Sequence, residues 1–362
     1  VNFNGRLVAL SLAAALGLGA CASGTDLGYV WQSASGHLAM LNAARPVPDW
    51  VVDGQSPDKL KERLALSQHI RRFASRELKL PDNPSYTRYA DLKRPAAIWN
   101  VVAAPELSLK LKTWCFPIAG CVGYRGYFDE SAAEAQAERL RAQGLEASVY
   151  PVPAYSTLGW MNWAGGDPLL NTFINYREAE LARLLFHELA HQVLYVKNDT
   201  TFNESFATAV ERLGVERYLA SAAKTQDTSR EWLDFLERRR AFRELTRGTR
   251  ERLSALYDSE LPAERQRAEK DEIMRAFRAG YAALRERWGG DPARFRLSDR
   301  WVARANNATF GAQAAYDELV PGFEALFELQ GRDWERFYAA ARQLAERPKD
   351  ERHRFLKEIA GA

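Results

Sequence analysis

Cysteine is scarce in this chain: there are three in 362 residues, at positions 21, 115 and 121. That count excludes a small disulfide-stapled scaffold, and two cysteines near residue 120 are a poor basis for a zinc site. A surplus of one charge is missing too. Fifty basic residues face 47 acidic ones, for a formal +3, which leaves no nucleic-acid footprint. Basic runs such as Arg238-Arg239-Arg240 lie among acids, as on solvated helices. There is no repeat of fixed period and no low-complexity tract. With 46% hydrophobic and 27% charged residues, the chain as a whole is not disordered, collagenous or a coiled-coil fibre. Long apolar runs are also absent, with one exception at residues 7–19. That run of about 13 residues is shorter than the roughly 20 that cross a bilayer as a helix.

Arg6 precedes the apolar run, and together they read as a secretory signal peptide over residues 1–20. The sequence Leu18-Gly19-Ala20-Cys21 resembles a bacterial lipobox. That resemblance implies a lipid on Cys21 and membrane attachment through it. Ala22 in the next position favours outer-membrane sorting. The expectation is an exported, lipid-anchored cell-envelope protein on the periplasmic face of the outer membrane. No nucleic-acid partner is expected there. Export permits a disulfide between Cys115 and Cys121, helped by the turn formers Pro117 and Gly120; two free buried thiols are the alternative.

Residues 21–95 read as an N-terminal helical segment packing on a catalytic domain of residues 96–362. Helices are expected at 29–44 and 58–80, the second with Pro57 at its start. Strands are expected at 97–103, 107–115, 122–128, 145–152 and 169–176. Ser131 with Glu134 makes a capping box for a helix over 131–143 that Gly144 ends. After residue 177 the pattern is helical: 177–197, 203–222, 229–246, 250–260, 263–288, 313–330, 332–345 and 349–360. The class is α+β, a small mixed sheet followed by a mostly helical C-terminal half.

His187-Glu188-Leu189-Ala190-His191 carries the chemistry. Four-residue spacing on a helix puts both imidazoles on one face, where they can grip one Zn²⁺. Glu188 lies beside them, placed to act as general base on the attacking water. The flanking Leu184-Leu185-Phe186 and Gln192-Val193-Leu194 carry no charge. After the turn Lys197-Asn198-Asp199-Thr200, the run Asn203-Glu204-Ser205-Phe206-Ala207 opens a second helix. A tight helix–turn–helix brings Glu204 back to the two histidines, giving a site of two nitrogens and one oxygen.

This arrangement resembles the gluzincin metallopeptidases. The resemblance implies a zincin-like helical region with His187, His191 and Glu204 as zinc ligands and Glu188 as base. Thermolysin-like members carry an Asp one turn after the ligand Glu; here that position is Thr208. Glu211, Thr208 itself or a backbone carbonyl could orient a ligand histidine instead. The wider pattern is similar to a bacterial lipoprotein family of predicted aminopeptidases. It includes Cys115-Phe116-Pro117-Ile118-Ala119-Gly120-Cys121, Tyr124-Arg125-Gly126-Tyr127-Phe128, Tyr155-Ser156-Thr157-Leu158-Gly159-Trp160, the zinc helix and Asn306-Asn307-Ala308. That implies zinc-dependent hydrolysis of a peptide substrate.

A developing oxyanion needs a donor besides the metal. Tyr155 and Tyr195 are the expected catalytic tyrosines, with Tyr176 and Arg177 as further candidates; core packing, or a pair between Arg177 and Glu180, would account for them otherwise. Glu178, Glu180 and Asp167 are the acids available to a substrate α-ammonium. Residues 169–175 could offer an edge strand to an extended peptide, with residues 165–168 as an approach loop. Asn306 and Asn307 either donate into the cleft or cap a helix. Two other functions fit the same residues: a zinc hydrolase of another amide or ester, and a non-catalytic envelope lipoprotein with a structural metal.

Overall fold

The computed structural model describes residues 27–116, 120–154, 156–221, 226–290, 292–314 and 318–361. The expected signal segment, Cys21 and Tyr155 lie outside the described residues. Helix α1 (Leu27–Ala43) leads through strand β1 (Arg45–Pro46) and helix α2 (Val47–Val52) to helix α3 (Asp58–Glu77). Strands β2 (Arg88–Ala90) and β3 (Ile98–Pro105) follow, then β4 (Trp114–Phe116), β5 (Gly120–Val122), β6 (Arg125–Tyr127), helix α4 (Glu130–Arg141) and β7 (Leu145–Val152). Strand β8 (Leu169–Leu170) feeds helix α5 (Glu178–Ala190). The rest is helical: α6 (Thr200–Ser221), α7 (Gln226–Tyr257), α8 (Ala263–Trp288), α9 (Arg296–Ala303), α10 (Asn307–Ala314), α11 (Val320–Leu329), α12 (Trp334–Ala345) and α13 (Lys349–Ala360). None of the described helices is long and apolar enough to cross a membrane.

Among the described residues the strands form two three-stranded sheets and a hairpin. One sheet is mixed, in the order β1-β2-β8, with β2 and β8 parallel. The other is antiparallel, β6-β3-β7, and β3 is buried along nearly its whole length. Hairpin β4–β5 carries the Cys115–Cys121 disulfide. Residues 107–113 are not a strand, and β6 pairs with β3 rather than with β4. The α4 cap is Asp129, not Ser131. Its carboxylate accepts from the Ala132 amide at 2.8 Å and from the Ser131 hydroxyl at 2.5 Å. A carboxylate at a helix start is the stronger cap because it also meets the helix dipole.

Helix α5 is the centre of the main core. Leu181, Leu185, Phe186 and Leu189 are fully buried against Leu64 and Ile70 of α3, Phe206 and Val210 of α6, and Phe323, Phe337 and Leu356 beyond. Helices α5 and α6 approach closely at Gly214, where a Cβ would lie 2.9 Å from the Phe186 ring. Strand β8 is only two residues long, not the eight expected from 169–176. The chain turns at once, with the Asn171 side chain bonded to Leu92 N–H at 2.8 Å and Arg94 C=O at 3.0 Å. The expected edge at 169–175 is thus largely turn. Gly248 does not break α7, which runs unbroken through it, whereas 313–330 divides into α10 and α11.

Helix α5 also stops earlier than the expected 197. The Val193 and Leu194 amides both return to Ala190 C=O, at 2.9 and 3.3 Å, and close the chain into a turn. Asn203 then clasps that turn from the start of α6. Its side chain accepts from Val196 N–H and donates to Val196 C=O, both at 2.8 Å. Asp199 caps α6 by accepting from Phe202 N–H at 3.2 Å. Arg352 and His353 of α13 grip the same carboxylate at 2.7 and 2.9 Å.

Burial pushes the Asp199 carboxyl up, but the bonds from His353 and Arg352 more than reverse this and hold it below its usual value. Its stabilisation is therefore full above the ordinary Asp pKa of about 3.9 and is lost as pH falls through the lowered folded value. Replacing Arg352 with Met should take the guanidinium from a buried carboxylate, leaving it His353 and the Phe202 N–H, and lower stability by up to about 3–5 kcal/mol. Urea unfolding at pH 7 and at pH 3 checks both statements: the variant's deficit should shrink at the lower pH.

Candidate metal centre

The first turn of α5 carries Glu178 and Glu180, which suit the positive end of its dipole. Its polar stripe, Arg183-His187-His191, repeats every four residues and faces α6. On α6 the matching residues are Glu204, Thr208 and Glu211, at spacings of four and three. The packing of the two helices brings the stripes together. His187 Nε2 and His191 Nε2 are 3.2 Å apart. Glu204 Oε2 lies 3.3 Å from the first and 3.7 Å from the second. These three residues are the one His/Cys/Asp/Glu group among the described residues arranged to hold a metal ion.

The donor set fits Zn²⁺. A tetrahedral ion with ligands at ~2.0–2.2 Å needs donor atoms about 3.3–3.5 Å apart. Bringing two nitrogens and a carboxylate oxygen this close is costly unless a cation lies among them. The electrostatics agree. Burial opposes a charge on His187, yet hydrogen bonds and charges from Glu204 and Glu211 raise it to about 10. Burial likewise opposes ionisation of Glu204, but the charge of His191 and bonds to both histidines hold it at about 2. The pocket demands a positive charge, which a proton or a metal can supply.

Glu211 orients His187. Its Oε2 accepts from His187 Nδ1 at 3.0 Å, leaving Nε2 free to coordinate. Arg183 Nη1 lies 2.9 Å from Oε2, and Arg239 Nη1 lies 3.2 Å from Oε1. Burial alone would raise this carboxyl, but the two guanidiniums and His187 hold it far below the usual range. Thr208 does not orient either histidine. Its hydroxyl and His191 Nδ1 are both buried with no hydrogen-bond partner among the described residues. Glu188 sits beside the trio, and burial pushes its carboxyl up against the opposing charges of His187 and His191.

The tyrosines are placed differently from the expectation. Tyr195 lies in the turn after α5, not on its helical face, yet it stays in the field of Glu204, with burial the larger cause of its raised pKa. Tyr124, just before β6, and Tyr150 of β7 also face this charge. Burial lifts both, with Glu204 adding to it, and Tyr150 reaches about 12. Sequence reasoning does not find this pair because they lie in and beside the antiparallel sheet, far from the motif in the chain. Arg239 escapes it as one of a basic run that reads as solvated.

The remaining candidates serve the scaffold. Arg177 pairs with Glu231 of α7 at 2.6 Å, not with Glu180. The Tyr176 carbonyl accepts from Arg63. Glu178 accepts from the Tyr218 hydroxyl at 2.6 Å. Asp167 is fully buried and holds residues 156–157: it accepts from Thr157 N–H at 3.1 Å, Thr157 Oγ1 at 2.8 Å and Ser156 Oγ at 3.3 Å. Burial, with the charge of Glu188 adding, lifts its carboxyl to about 6 despite those bonds. Asn306 caps α10, accepting from Thr309 N–H at 3.2 Å. Asn307 ties α10 to β3 through the Pro105 carbonyl at 3.1 Å.

Glu211→Gln keeps the shape but removes the charge that orients His187. Zinc affinity should fall by roughly 10–100-fold. Competition with a chromogenic chelator measures this, and unchanged affinity would show that His187 needs no carboxylate behind it.

No curated protein and no solved structure matches the chain significantly. A family model described as "Putative aminopeptidase" does match, over residues 28–356, a span that includes both ligand helices and the sheet. With the metal-ready trio inside that span, the chain belongs to this "Putative aminopeptidase" family.

Proposed function

We propose that the protein is a zinc-dependent aminopeptidase in which His187, His191 and Glu204 hold the ion and Glu188 is the general base. One observation carries this reading. Three donors of the right kind converge at tetrahedral spacing, and a half-buried carboxylate, Glu188, is their chain neighbour without being one of them. A purely structural zinc has four protein ligands. Here three are brought together among the described residues, which favours catalysis over a structural role.

When bound, zinc supplies a Lewis acid that polarises the scissile carbonyl and acidifies a water. The chain's own residues do the rest. Glu188 takes a proton from the attacking water and delivers it to the leaving amine nitrogen. Its raised pKa suits both halves of that exchange. Glu211 keeps His187 in the tautomer that presents Nε2. The phenols of Tyr124, Tyr150 and Tyr195 lie in the field of Glu204 and are the donors offered to a developing oxyanion. We place this activity in the cell envelope, on the strength of the signal-like residues 1–20 and the lipobox-like sequence ending at Cys21.

Glu188→Gln should retain one zinc per chain and lose cleavage of a fluorogenic peptide by about 10²–10⁴-fold. Equal cleavage by the variant would sink this mechanism. Chelation should abolish the wild-type activity and zinc should restore it. Peptides with free and acetylated N-termini separate the finer alternatives: an aminopeptidase cleaves only the free ones.

A further inference from the structure

Tyr86 is anomalous in two ways. Its backbone lies at φ +63°, the left-handed region that strains an aromatic residue. Its ring is 1% exposed, and the buried hydroxyl has no hydrogen-bond partner among the described residues. Native structures rarely leave a buried donor unpaired, and strained backbone clusters at functional sites.

The surroundings hold this conformation in place. Tyr86 N–H donates to the Asp167 carbonyl at 2.6 Å, and its own carbonyl accepts from Gln68 Nε2 at 2.8 Å. The residues before it are fastened to Gln192, the neighbour of His191. Asn83 Nδ2 donates to Gln192 Oε1 at 2.7 Å, and Gln192 Nε2 donates to Ser85 Oγ at 3.2 Å. Gly166 closes against the same segment, where a Cβ would stand 2.5 Å from Ser85 N. Tyr86 is thus fixed relative to the end of α5, with its hydroxyl in the field of two carboxylates, Glu188 and Asp167.

Those carboxylates differ. Asp167 already accepts from Thr157 and Ser156. The Glu188 carboxylate accepts no hydrogen bond among the described residues, although burial dominates its surroundings. Gln192, which holds the segment through Asn83 and Ser85, follows Glu188 by four residues, so the unpaired Tyr86 hydroxyl is tied to the end of α5 that carries Glu188. We propose that Tyr86 is a positioning residue for Glu188: in the zinc-loaded protein its hydroxyl donates to one carboxylate oxygen and leaves the other aimed at the attacking water. This rests on the reading of Glu188 as general base.

Tyr86→Phe removes the hydroxyl and nothing else. In the zinc-loaded full chain it should keep its zinc and lose at least tenfold in kcat with KM within twofold. A hydroxyl that only fills space predicts unchanged kcat, and kcat within twofold of wild type overturns the proposal. Thermal melts of zinc-loaded Tyr86→Phe, Glu188→Ala and the double variant give a readout independent of activity. The shift of the double variant should differ from the sum of the single shifts by several degrees. Additive shifts overturn the proposal. If the wild type cleaves no peptide yet the shifts are non-additive, the peptidase reading fails while the Tyr86–Glu188 pairing stands.

Discussion

The Glu211 carboxylate is the constraint on which the site depends. It is 1% exposed and cannot remain charged there without partners. Those partners come from two other helices, Arg183 and His187 from α5 and Arg239 from α7, while Glu211 itself stands on α6. Satisfying one buried charge therefore sets the rotation of α5 against α6 and fixes where α7 crosses them. The same bonds decide which nitrogen of His187 faces inward. Packing of Phe186 on Gly214 sets how close the helices come, but apolar contact alone would tolerate several rotations about the helix axes. The ionic network selects one of them.

Glu204 is delivered by a second device. It lies just inside α6, so its position depends on how that helix starts. Asn203 ties the helix start to Val196 through two bonds, and Asp199 caps it. Hairpin β4–β5 braces the same turn, since the Cys121 amide donates to Asn198 Oδ1 at 2.7 Å. A helix start held at this many points moves little, which is what a metal ligand on a short carboxylate arm requires.

The centre of the site is legible in the sequence because its logic is local. His187, Glu188 and His191 lie within five residues, and helical periodicity is enough to align them. Glu204 requires only a short turn, and Glu211 follows from its seven-residue step along the same face. Legibility ends where partners are distant in the chain. Arg239 looks like any other solvated arginine until α7 is seen crossing Glu211. Tyr86 gives no sign in the sequence of its strained backbone or buried hydroxyl. Tyr124 and Tyr150 reach the site because β6 and β7 flank β3, which no periodicity encodes. The helix boundaries expected at 197, 131 and 250 differ from those observed for a related reason: bonds from Val193 and Leu194, the Asp129 side chain, and the burial of Thr246, Thr249 and Leu253 on either side of Gly248 outweigh local propensity.

The grip of α13 on Asp199 joins residues 153 apart in the chain. Closing so long a loop is slow compared with forming either helix. During synthesis the α5–α6 pair therefore emerges well before the arginine that steadies its turn. A chain still short of residue 352 already has the Asn203 clasp, the Asp199 cap and the hairpin bond to Asn198, and lacks only the grip of α13 on that cap. The contact between α13 and Asp199 is therefore the last of the turn's bonds to become available as the chain is made.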